Sequence, residues 1–212
     1  MATAERRAPA DKRRVILDAA VRVFARQGFH TSRVADIADE AGVAYGLVYH
    51  YFASKDEVLD TLFLERWEVM LATIRDLDAQ PLAAREKLDA IAGFVLESYA
   101  HDPDLMKVII VEVTRAANTF GATHLEKIGE AYALLGGIVR AAQADGAFRA
   151  DLSPEYAAMA FYGALEQVLT GWIFGLLEQG PGAAEAARRE LVEIVCGGLA
   201  ASAAPRAAEP SA

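Results

Sequence analysis

The side chains best equipped for chemistry lie in one short stretch, Arg33 to Lys55, which reads RVADIADEAGVAYGLVYHYFASK. Gly42 separates two short runs of helical periodicity. Ile37, Ala38, Ala41, Val43 and Val48 can bury the angle between the two runs, which turns Arg33, Tyr45, Gly46, Tyr49 and His50 outward. A support helix, a glycine-containing turn and a short second helix form helix-turn-helix grammar. A helix of about 10 Å, at 1.5 Å per residue, can offer its first turn to a major groove. Its unpaired N–H groups favour phosphate. Each piece alone has a plainer reading. A Tyr-x-Tyr-Phe string also fits core packing, with Tyr51 and Phe52 inward and only Tyr49 outward. A single arginine or histidine is usually a solvated side chain.

Other chemistries find little footing. The histidines, His30, His50, His101 and His124, are scattered, and Cys196 is the single cysteine. No Gly-x-Ser-x-Gly, His-Glu-x-x-His, dinucleotide or phosphate-loop motif occurs, so no enzyme and no cofactor is expected. No metal-ligand spacing is found, and one cysteine excludes a disulfide framework. The chain has 212 residues, 54% hydrophobic and 24% charged, enough to bury a core. Its net charge of −9 argues at first against nucleic acid. The charge is segregated, however: residues 1–56 hold nine Lys+Arg and seven Asp+Glu, and the remainder holds twelve and twenty-three. An acidic body with a mildly basic head implies that only the head meets an anionic partner. The apolar runs are too short to span a membrane. The opening MATAERRAPADKRR lacks an apolar signal core, so the compartment expected by default is the cytoplasm.

The elements that must position the Arg33–Lys55 stretch are helical throughout. The pattern predicts a first helix from about 11 to 27, stopped by Gly28. A second is capped by Ser32, and a third runs from Ala44 to His50. The Ser54-x-x-Glu57 capping box opens a long fourth helix to about Asp78. Pro81, Asp102-Pro103 and Ser153-Pro154 mark the starts of helices five, six and eight. Helix six is expected to reach about Asn118. Helix seven runs from about Ala122 to Asp145, helix eight to about Glu178, and helix nine from about Ala183 to Ala201. The division expected is an N-terminal arm and helix-turn-helix domain over 1–54, a helical effector and dimerisation domain over 55–201, and a disordered tail over 202–212.

The segment GFHTSRVADIADEAGVAYGLVYHYFASKDEVLDTLF resembles the DNA-binding head of TetR-type transcriptional regulators. Gly28-Phe29, Asp36-Ile37-Ala38, Ala41-Gly42-Val43, Tyr49-His50-Tyr51-Phe52 and Ser54-Lys55 carry the likeness, over about residues 13–63. It implies an all-α fold of nine helices, a homodimer on a palindromic double-stranded DNA operator, and a ligand-responsive repressor. Tyr49, His50 and Lys55 match positions that contact phosphates, and Arg33 matches the start of the support helix. Tyr45, Gly46 and Leu47 match the reading end of the recognition helix. Ala44 stands where many relatives carry Ser or Thr, so a helix cap and a phosphate contact are missing; Tyr45 and Leu47 replace commoner small or basic residues, so base reading would lean on apolar contact, Arg33 and DNA shape. Arg6, Arg7, Lys12, Arg13 and Arg14 offer a basic arm, or a solvated terminus. A helical protein-interaction module that uses the tyrosine-rich head as its binding face is the alternative.

By the same resemblance, helices five to eight surround a pocket. Phe94, Ile109, Val113, Phe161 and Trp172 are its candidate apolar lining. Tyr99, Arg115, His124 and Gln167 are candidates to orient a ligand head. The segment FYGALEQVLTGWIFG and the head together are similar to the fatty-acid-degradation branch of the family, which makes the expected effector small and apolar, with long-chain acyl-CoA the member that branch points to. Gly163, Gly171 and Gly175 suggest close helix approach, Leu191, Ile194, Val195 and Leu199 offer an apolar stripe, and the resemblance implies that helices eight and nine are the dimer faces.

Overall fold

The computed structural model describes residues 9–112 and 122–200. Among them are nine α-helices: α1 (Pro9–Gln27), α2 (Val34–Ala41), α3 (Tyr45–Tyr51), α4 (Lys55–Asp78), α5 (Ala84–His101), α6 (Pro103–Lys107), α7 (Ala122–Ala144), α8 (Pro154–Ile173) and α9 (Ala183–Leu199). A π-helical turn, Val108–Glu112, continues α6. No strand forms among the described residues; Phe148 and Ala200 make one isolated bridge. Asn118 and the end of the expected sixth helix lie outside the described residues, as do Val113, Arg115 and the tail from 201.

The head is α1 to α3. Ile16, Leu17, Phe24 and Ile37 are fully buried in it, and Phe29 meets Phe24 edge-on at 5.3 Å. Gly28 and Gly42 end α1 and α2 at φ +81° and +65°, left-handed values that cost glycine little. Gly42 donates its N–H to Asp39 O, and Val43 donates to Ala38 O, which closes the turn between α2 and α3. In the body, α5 crosses α9, and α7 lies against both α4 and α8. Leu71, Ile74, Leu88, Ile91, Leu96, Leu135, Ile138 and Phe161 fill the space between them.

Several starts and stops depart from the sequence reading. Ser32 does not cap α2; it is buried, and its hydroxyl donates to Gly28 O at 2.6 Å. The N-cap position belongs to Arg33, whose N–H is taken by the Asp36 carboxylate at 2.8 Å. Pro81 precedes α5 rather than opening it, because the Glu86 carboxylate accepts the Ala83 N–H and starts the helix at Ala84. α8 stops at Ile173, short of Glu178, because Gly175 turns left-handed (φ +67°) and Leu176 and Leu177 fold back to donate to Gly171 O. Ser54, Asp102 and Ser153 cap α4, α6 and α8 as expected, each accepting an N–H from three residues on. Asp102→Ala is expected to cost about 1 kcal/mol, read as a lower melting temperature, with Asp102→Asn close to the parent.

Candidate functional site

The exposed face of the head is set by where α3 hides its apolar side. Val48 is buried against α2, so Tyr45, Gly46, Tyr49 and His50 stand in solvent and Leu47 is half-buried. Tyr45 and Tyr49 are one turn apart, 53% and 45% exposed, which is high for such large rings. Their rings meet edge to face at 5.1 Å, and the Tyr45 hydroxyl donates to that of Tyr49 at 3.1 Å. That hydrogen bond raises the Tyr45 phenol above its ordinary pKa. A side chain at Gly46 would touch nothing within 4 Å, so the chain's own packing does not call for the glycine. Ala44 precedes the helix in extended conformation and supplies no side-chain cap. The first N–H groups of α3 therefore face outward beside the tyrosine pair.

The cations of the head divide into committed and uncommitted. Arg22 and Arg26 both bind Glu40 and fasten α1 to α2; they hold its carboxyl below the usual range. Arg13 pairs with Glu65 and lies over the Phe52 ring, and Arg14 pairs with Asp18. Those two arginines of the expected arm thus face the chain's own helices; Arg6 and Arg7 lie outside the described residues. Arg33 is exposed, and no carboxylate pairs with its guanidinium among the described residues. Lys55 turns inward. Its ammonium donates to Phe29 O at 2.7 Å, Ser32 O at 2.9 Å and His30 O at 3.5 Å, and sits 4.4 Å from the Phe29 ring centre. It fastens the turn between α1 and α2 to the start of α4, which the sequence alone did not disclose.

The residues expected around an effector are not all brought together. Phe161 and Trp172 are buried, with Trp172 against Tyr99 at 5.4 Å. The Tyr99 hydroxyl is 3.3 Å from Gln179 Oε1. Ile109 is buried in the π-helical turn, Phe94 is half-buried beneath Arg66, and Gln167 is exposed. His124 is buried, with its ring 4.6 Å from Phe63 and Nε2 3.4 Å from Asp60. From His124 a line of rings runs through Phe63, Trp67 and Tyr162 to Tyr132, at centre separations of 4.6, 5.6, 5.8 and 5.8 Å. Tyr162 lies on the apolar stretch expected to line the cavity; Trp67 and Tyr132, with Arg66 and Glu166 beside them, are absent from the sequence reading. The available signal was polar groups on the inward faces of α4 and α8, one helical turn apart at Tyr162 and Glu166.

Two family models match the chain. Residues 16–62 match that of bacterial regulatory proteins of the tetR family, and residues 81–199 match the tetracyclin repressor-like C-terminal domain. The chain belongs to the TetR family. Among relatives of this TetR-family protein, the fatty acid metabolism regulator protein of Bacillus subtilis is 30% identical over 159 residues, covering 74% of this chain and 81% of that one. The transcriptional repressor KstR2 of Rhodococcus jostii is 29% identical over 69% of this chain and 72% of its own. The fatty acid degradation regulator FadR of Bacillus halodurans superposes with a TM-score of 0.81 at 28% identity, over 92% of this chain and 98% of that one. FadR of Bacillus subtilis, solved in complex with stearoyl-CoA, gives 0.75 at 25% identity, over 88% and 98%.

The TetR-family head and body make this chain a DNA-binding transcriptional regulator, and the reading as an interaction module without DNA binding falls away. Its relatives are regulators rather than enzymes. Among the described residues no group of His, Cys, Asp or Glu is placed to hold a metal, and no helix is long and apolar enough to cross a membrane.

Proposed function

We propose that the protein is a repressor that binds a palindromic operator as a homodimer and leaves it when a long-chain acyl-CoA enters the body. On the DNA side, Tyr45, Gly46 and Leu47 read the major groove. Tyr49, His50 and Arg33 engage the backbone on either side. Lys55 acts by fixing the turn that carries Arg33, not by reaching phosphate. The absent side chain at Gly46 lets the groove approach the backbone of α3 closely.

The homodimer forms through α8 and α9. Tyr156, Met159 and Ile194 are 77%, 52% and 76% exposed there, and a groove of ≈ 720 Å³ runs along the two helices. The glycines support this less than expected. A Cβ at Gly171 would meet Leu177 of the same chain at 2.7 Å, Gly175 serves the turn, and Gly163 has nothing within 4 Å. Leu191 and Leu199 are spent on the chain's own core, which leaves Ile194 and Val195 as the outward part of the α9 stripe.

The observation that carries the effector reading is the line of rings between α4, α7 and α8, in a fold whose FadR relative is solved with stearoyl-CoA. Two links join that seam to the head. α4 runs unbroken from Lys55 to Asp78, and Lys107 at the end of α6 donates to Ala25 O in the last turn of α1 at 2.7 Å. A ligand that favours the DNA-incompetent arrangement about 100-fold supplies about 2.7 kcal/mol toward release.

The test is a thermal melt and an operator-release assay with palmitoyl-CoA, palmitate and free CoA. Palmitoyl-CoA at about ten times its Kd should add about 1.4 kcal/mol, a rise of ~3–6 °C, and should free the operator. No shift and no release across a series of acyl-CoA chain lengths would overturn the effector reading while leaving the DNA-binding assignment in place.

A further inference from the structure

The seam between α7 and α8 holds a carboxylate that no cation pairs with among the described residues. Glu166 is half-buried one turn after Tyr162, and among the described residues it has neither an ion pair nor a hydrogen-bond partner. Burial alone lifts its carboxyl above the ordinary range. Its charge bears on the two phenols that meet edge to face at 5.8 Å, Tyr132 and Tyr162. Neither phenol makes a hydrogen bond through its hydroxyl among the described residues. Among the described residues, the cation that bears on Tyr162 is Arg66, which is engaged elsewhere. It donates to Ser98 at 2.7 Å, lies 4.7 Å from the Phe94 ring centre, and borders the groove between α1, α4 and α6. At Tyr162 the influence of Glu166 exceeds that of Arg66. The polar end of the seam therefore places two phenol hydroxyls near a half-buried carboxylate that is unpaired among the described residues.

We infer that Glu166 is a specificity-determining residue: with Tyr162 and Tyr132 it admits effectors whose carbonyl is neutral, a thioester or ester, and repels the free carboxylate of the same chain. This rests on the acyl-CoA reading above and adds to it. A neutral carbonyl accepts from Tyr162 at no electrostatic cost. A carboxylate must either sit beside Glu166 in a poorly solvated place, where like charges repel, or leave the acyl chain short of its seat. Rejection is thus built by an unpaired charge rather than by a clash of shape.

Isothermal titration with lauroyl-CoA, methyl laurate and laurate, with free CoA as a blank, tests it. The parent should bind both neutral forms and prefer them over laurate by about tenfold or more. Glu166→Gln should keep the neutral ligands within about threefold and bring laurate to within about threefold of methyl laurate. Losing an unpaired, half-buried carboxylate should leave the melting temperature unchanged or higher, and Glu166→Ala provides a second charge-free variant. Glu126→Gln, exposed on α7, changes the net charge alone and should keep the parent's rejection of laurate. Laurate still refused by both charge-free variants would overturn the role of Glu166, as would equal binding of laurate and methyl laurate by the parent. A parent that binds none of the acyl ligands overturns the effector reading, and this inference falls with it.

Discussion

Replacing Tyr45 and Tyr49 together by alanine is expected to lower operator affinity by about a thousandfold with almost no change in melting temperature. The two rings cover each other on the solvent side of α3 and touch little of the core, so their loss leaves Val48 and Phe52 seated. Contacts of this kind are worth ~1 kcal/mol or somewhat more each, and a dimer presents the pair in both half-sites. About 4 kcal/mol in all is roughly three decades in Kd. Tyr45→Phe with Tyr49→Phe separates the two ways the pair can act. It removes both hydroxyls and their mutual hydrogen bond but keeps the apolar faces. If the Tyr45 ring reads a thymine methyl, the phenylalanine pair should retain most specificity on thymine operators and lose it on uracil-substituted ones. A gel shift on both operator chemistries, at fixed salt, reads the difference. An unchanged affinity for the double alanine variant would mean that another surface reads the operator.

How much of this was legible before the fold was known depends on the range of the interaction. Gly42, the Ser54 cap, Val48 inward and Tyr49 outward all follow from neighbours within a turn of helix, and the structure agrees with the sequence on each. Pro81 misled because proline at a helix start is only permitted there, whereas the Glu86 carboxylate reaching the Ala83 N–H fixes where α5 begins. The effector lining was least legible. A search for apolar residues on α5 to α8 finds Phe161 and Trp172, which the core consumes. It also reaches Tyr162 but passes over its partner Trp67 on α4, because the two rings meet only where α4 and α8 converge across about a hundred residues of chain. Glu166 was invisible for a related reason. A glutamate on a helix is ordinarily solvated, and only the packing of α7 reveals that this one is not.

Lys55 is the sharpest case of a family position whose contacts in the structure lie within the chain itself, and it yields the second large prediction. Its ammonium lies among the carbonyls of Phe29, His30 and Ser32, the residues that join α1 to α2. Lys55→Met keeps the aliphatic stem and removes every donor. Charged hydrogen bonds of this kind carry about 1.5–3 kcal/mol, and with partial solvent exposure an overall loss of ~2 kcal/mol is expected, or ~4–8 °C in melting temperature. Operator affinity should fall about tenfold as well, because the turn that aims Arg33 loosens. The salt dependence distinguishes this from a lost phosphate contact. Removing a cation that neutralises a phosphate lowers the slope of log K against log salt by about 1 per contact, and so by about 2 in a dimer. Arg33→Ala should show that lowered slope with little change in stability. Lys55→Met should show the stability loss with the slope of the parent. If Lys55→Met instead flattens the slope and leaves the melting temperature alone, its ammonium leaves the carbonyls for phosphate on binding, and the turn is held by Ser32 and Thr31, whose hydroxyls also bond back to the end of α1.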